Sequence, residues 1–110
     1  MFKKYRKIRR TPTFIADYSE LRVYLRHSSP LAFLALPGAM ETILDVIDTS
    51  PHGWPIKRKR IGEVEYIFHL AIIDIAYRRL HVRYFVDDDG VSHLSTVWVD
   101  GHDEPNYILP

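Results

Sequence analysis

The run from Glu63 to Asp100, EVEYIFHLAIIDIAYRRLHVRYFVDDDGVSHLSTVWVD, constrains the fold of this chain more than any other stretch. It reads as three antiparallel strands. In the middle one, Leu80, Val82, Tyr84 and Val86 fall on one face, and Arg79, His81, Arg83 and Phe85 on the other. Successive side chains of a strand point to opposite faces, so the first set is expected to pack inward and the second to face outward. Asp87-Asp88-Asp89-Gly90 joins this strand to the next. Glycine takes a positive φ without a Cβ clash, which makes the Asp-Gly pair a hairpin signal. In the strand from Val91 to Val99, Leu94, Thr96 and Trp98 are expected on one face, with Val91, His93, Ser95, Val97 and Val99 on the other. The first strand opens with Val64, Tyr66, Phe68 and Leu70 alternating with Glu63, Glu65, Ile67 and His69, and a turn or bulge is expected near Asp74.

The chain before this run reads as helical. Thr13 to Ala16 is short and β-prone, a first strand. Asp17 suits a helix N-cap with Glu20 completing a capping box, and Tyr18, Leu21 and Leu25 form an apolar stripe over a helix from Tyr18 to His27. Ser29 and Pro30 suit the start of a second helix. Pro37-Gly38 is expected to end or kink it, which leaves Ala39 to Thr49 as the better helix, with Met40, Ile43, Leu44 and Ile47 on its apolar face. Thr49 to Pro55 is a turn-rich connector. The order is β-α-α-β-β-β. The expected fold is α+β: a small antiparallel β-sheet covered on one face by a helical pair, with residues 1–12 as a basic tail and 13–110 as a single domain.

A chain of 110 residues that is 46% hydrophobic has the size and composition of one folded domain. The absence of cysteine excludes disulfides, thiolate metal sites and a cysteine nucleophile, and fits a reducing, cytoplasmic compartment. The longest apolar run, Leu31 to Leu36, is far short of the ~20 residues of a spanning helix, so no membrane partner is expected. The six histidines lack close ligand spacing, and there is no glycine-rich phosphate loop; no metal and no cofactor are expected.

The formal net charge of +1 hides three basic clusters: residues 1–10, the block Lys57-Arg58-Lys59-Arg60, and Arg78, Arg79 and Arg83. Such patches attract polyanions even when the total charge is small. A sheet face carrying arginine, histidine and aromatic rings can hold single-stranded RNA, cations on phosphates and rings such as Trp98 on bases. The same groups suit RNA cleavage without a metal: His81 to move protons near neutral pH, Arg79 or Arg83 to stabilise the phosphate, and Lys57 to Arg60 to anchor the backbone. A plainer role is also open, in which Arg79 or Arg83 simply stacks on Trp98.

The element order resembles that of the RelE/ParE toxin superfamily. So does the sequence of a basic segment, Gly62, an apolar strand and Tyr77-Arg78-Arg79-Leu80-His81-Val82-Arg83-Tyr84. The likeness covers about residues 13–107. It implies that Arg58, Lys59 or Arg60 matches the family's basic segment, Arg79 its strand arginine and Tyr107 its C-terminal aromatic, so that Arg79, His81, Arg83 and Tyr107 are the candidate catalytic set. The RelE branch implies mRNA cleavage on the ribosome and an antitoxin partner; the ParE branch implies gyrase inhibition. The rival expectation is a non-enzymatic protein-binding or inhibitory module of a mobile element, self-associating through a sheet edge.

Overall fold

A computed structural model describes residues 5–102. The elements are β1 (Ile8–Arg10), α1 (Pro12–Ser28), α2 (Pro30–Thr49), β2 (Ile56–Ile61), β3 (Val64–Ile75), β4 (Arg78–Val86) and β5 (Ser92–Val99). The strands form one sheet in the order β1-β5-β4-β3-β2. The fold is α+β, with two helices packed against the sheet. The sheet is mixed rather than purely antiparallel, because β1 runs parallel to β5 while the remaining neighbours are antiparallel.

The first strand lies at Ile8–Arg10, inside the stretch expected to be a tail, and residues 13–16 belong to α1. The cap explains the shift. The Thr11 hydroxyl oxygen accepts from the Phe14 amide at 3.1 Å and its O–H donates to the Leu94 carbonyl at 2.8 Å. One side chain therefore starts the helix and ties it to β5. Pro12 follows at the first helical position, where its missing amide costs nothing and its fixed φ is already helical. Asp17, expected as the cap, sits a turn inside α1 and accepts from the Thr96 hydroxyl of β5.

α2 runs unbroken through Pro37 and Gly38. A proline inside a helix costs about 3 kcal/mol. Against that, Leu36, Met40, Ile43, Leu44 and Ile47 are buried along one stripe, and each such side chain contributes roughly 1.5–3 kcal/mol. The stripe outweighs the break. By length and composition α2 is also the one described helix apolar enough to cross a membrane. In this fold its stripe covers the sheet, and Glu41, Asp45 and Asp48 lie exposed.

The core joins Phe14, Leu21 and Leu25 of α1 and the α2 stripe to Ala71, Ile75, Leu80, Val82, Tyr84, Leu94, Val97 and Val99 of the sheet. The inward face of β4 is as the alternation predicts. β5 is not. Its pairing with β4 shifts between Arg83 and Tyr84, so that Tyr84 faces Leu94 while Arg83 faces Thr96, and Ser95 is the extra residue of a bulge. The bulge puts Leu94 on the same face as Val97 and Val99, and sends Thr96 and Trp98 to the other.

The basic block forms β2, an edge strand, and joins β3 by a tight turn in which Gly62 takes φ +62°. β3 passes through Asp74 without a break and turns at Ala76 and Tyr77, both at positive φ (43° and 73°). A two-residue hairpin with both φ positive matches the twist of its strands and favours Asn-Gly; alanine and tyrosine there are strained by about 1–2 kcal/mol each. The double substitution Ala76→Asn/Tyr77→Gly should therefore raise unfolding free energy by about 1–2 kcal/mol, read as a higher urea midpoint at unchanged m-value.

Candidate functional site

The face of the sheet away from the helices is built in rows, which the register fixes. One row runs Lys57, Phe68, Phe85, His93: Lys57 pairs with Phe68, the Phe68 and Phe85 rings meet edge-on at 6.2 Å, and Phe85 pairs with His93. The next is Leu70, Arg83, Thr96, and the next Ile72, His81, Trp98. Asp74 and Arg79 pair in the last. Arg79, His81 and Arg83 thus share one face, as their spacing predicts.

Their environments differ from the expectation of an open cationic row. Arg83 is 1% exposed. Its guanidinium lies 4.9 Å from the Phe68 ring centre and 5.2 Å from that of Trp98, a cation held between two ring faces. Desolvated cation–π contacts of this kind contribute about 2 kcal/mol. The stacking role left open by the sequence is the one Arg83 takes, and phosphate cannot reach it in this arrangement. His81 lies parallel to Trp98 at 4.9 Å, and its Nε2–H donates to the Asp100 carboxylate at 2.8 Å. Its Nδ1 is buried and has no hydrogen-bond partner among the described residues. One ring nitrogen is engaged and the other is shut away, so His81 is poorly placed to pass a proton to a ligand. Trp98 is buried beneath these two groups, and its ring is not an open platform for a base. Arg79 is exposed. Tyr107 lies outside the described residues.

The basic block is more accessible. Lys57, Arg58 and Arg60 are exposed and Lys59 is half-buried. Arg58 donates to Glu65 across the hairpin at 2.9 Å, with both side chains well exposed; such a pair contributes at most about 1 kcal/mol and yields readily to a ligand.

A pair to which the sequence assigns no role proves to be organised. His93 Nε2–H donates to one Asp87 oxygen at 2.9 Å, while the other oxygen accepts from the Asp89 and Val91 amides, each at 2.9 Å. The His93 hydrogen bond, followed by these amides, holds the Asp87 carboxyl below its ordinary range. His93 is partly exposed beside Phe85. The signal was present in the chain: Asp87 and His93 bracket the Asp-Gly turn, and a hairpin brings its two flanks together.

A second histidine pair is structural in its contacts. His69 Nδ1–H donates to the Trp54 carbonyl at 2.7 Å, which leaves Nε2 to accept from His52 Nδ1–H at 3.2 Å. The His69 ring stacks on Tyr84 at 5.0 Å, and the Tyr84 hydroxyl donates to the Pro51 carbonyl at 2.7 Å. Burial pushes the Tyr84 phenol up to about 12. These bonds pin the connector between α2 and β2. Among the described residues no group of three or more metal-ligating side chains occurs.

Comparison with protein-family models, with curated proteins and with solved structures finds no match.

Two outcomes follow from this geometry. Arg83→Ala should destabilise the domain by about 3 kcal/mol in urea unfolding, because it removes a large buried side chain from between two rings. Asp87 should titrate below the ordinary carboxylate value of 3.8. A depressed folded value stabilises the fold above the unfolded value, and that contribution is lost as pH falls through the folded one. His93→Ala should move the Asp87 midpoint back upward in a carboxyl-detected NMR titration.

Proposed function

We propose that this chain is an RNA-directed domain of the RelE type, which holds a single strand along β2 and across the neighbouring corner of the outer sheet face. The observation that carries the reading is the placement of Lys57, Arg58, Lys59 and Arg60 on one edge strand, with Lys57 and Lys59 in the same sheet rows as half-buried rings. Cations on the same face of a strand, such as Lys57 and Lys59, stand about 6.7 Å apart along it, comparable with successive phosphates of an extended nucleic acid strand. Tyr66 lies across from Lys59, and Phe85 lies beyond Phe68 in the Lys57 row. Both are half-buried and present partial ring surface for bases. A helical pair that follows one short strand, and a basic segment immediately before the long strand β3, also favour the resemblance to the RelE/ParE superfamily, although the basic segment itself adds a strand to the expected β-α-α-β-β-β order.

Within this reading, metal-independent RNA cleavage draws on His93 rather than His81. Asp87 fixes the His93 ring by its Nε2–H, the arrangement in which a carboxylate sets the tautomer and orientation of a proton-transferring imidazole. His93 shares its row with Lys57, so proton transfer and phosphate binding fall at one end of the sheet. Arg79, at the other end, would extend the electrostatic surface.

The alternative, a protein-binding module, is favoured by one observation: Arg83 and His81 both stack on Trp98, as they would in a purely structural face. Fluorescence anisotropy with single-stranded RNA separates the two. Affinity should fall steeply with salt. Lys57→Ala/Arg60→Ala should lower the slope of log K against log salt by about 1–2, near 0.7 for each phosphate no longer neutralised. Induced expression should arrest translation, and His93→Ala should restore growth while RNA binding persists. Normal translation, together with salt-independent or absent RNA binding and a protein captured in its place, would select the binding module.

A further inference from the structure

A second feature lies in the helical layer. α1 and α2 part beside Pro37, leaving a cavity of about 320 Å³ that opens to solvent. Buried Phe14 and Tyr18 form its apolar floor, and Ile15 of α1 and Pro37 of α2 its walls. Arg10, at the end of β1, Arg22, two turns along α1 from Ile15, and Ser19 also line it. Among the described residues no carboxylate lines it.

Several features distinguish this cavity from a simple gap between helices. Ile15, in the lining, is 53% exposed, and Leu34, three residues before Pro37 on α2, is 74% exposed. The Arg22 guanidinium stands 5.8 Å over the Phe33 ring, which holds the charge at the rim. Arg22 also acts on the Tyr18 phenol, opposing the rise that burial causes. The volume falls within the range of small-molecule sites, which are mostly apolar with a few convergent polar groups. Arginine's planar fork matches carboxylate and phosphate alike.

We infer that this cavity binds a small organic anion, a carboxylate or phosphate carried on an apolar body the size of one ring or a short alkyl chain. The anionic group would meet Arg22, and the apolar body would cover Phe14, Ile15 and Pro37. The inference does not depend on the RNA reading, since the two surfaces share no residue.

The test is a ligand titration of the full chain followed by ¹H–¹³C methyl NMR, with octanoate and phenyl phosphate as the anionic amphiphiles, and 1-octanol and inorganic phosphate as their separated halves. Either amphiphile should bind saturably and shift the Ile15 methyls, at least about tenfold more tightly than octanol or phosphate alone. Arg22→Ala should weaken binding about tenfold, and Ser19→Trp, which fills the opening from an exposed position, should abolish it; circular dichroism checks that both variants are folded. Preference for phenyl phosphate over octanoate would identify the anion as phosphate, and the reverse as carboxylate. The inference is overturned if octanol binds as tightly as octanoate, if neither substitution changes the affinity, or if no saturable binding occurs at millimolar ligand.

Discussion

Burial of β4 on both faces is the constraint on which the rest of this structure depends. Toward the helices, Leu80, Val82 and Tyr84 are fully enclosed. Away from them, Arg83 is nearly as inaccessible as those residues. A buried cation costs several kcal/mol unless its surroundings replace water. Here the rings of Phe68 and Trp98 flank it. That arrangement needs Trp98 on the outer face and Leu94 on the inner one, a combination that strict alternation along β5 forbids. The bulge at Ser95 resolves the conflict. One extra residue therefore serves the core and the cation clamp together.

The middle of the outer face is in consequence a packed unit. Trp98 lies between Arg83 and His81, and Asp100 holds His81 in turn. What remains accessible lies at the margins. The β2 edge carries the basic block, and the corner where Phe85 meets His93 lies in the same row as Lys57. A polyanion approaching this face meets that end first, because its cations and its ordered imidazole–carboxylate pair are exposed or half-exposed there.

The helical layer has a comparable division. The α2 stripe is strong enough to carry the helix through Pro37, but proline and glycine leave little side chain at that point to meet α1. The result is continuous packing on the sheet and an opening between the helices. Arg22 and Arg26, both standing over Phe33, give the α1 side of that opening a basic rim.

Local chemistry was enough to establish the α+β class, the two helices, the apolar face of β4 and the Asp-Gly hairpin. Each rests on contacts between residues near in sequence: periodicity, capping types and turn conformation. Distant partners decided what the sequence left open. Thr11 displaced Asp17 as the cap because Leu94, far along the chain, offered its carbonyl. Lys57 to Arg60 became a strand because β3 continues past β4 and gives it a partner. Arg83 and His81 alternate onto the outer face as their spacing requires, but their access to solvent was set by Phe68, Trp98 and Asp100. Period two determines the direction in which a side chain leaves its strand; how much water it meets there depends on what the rest of the fold brings against it.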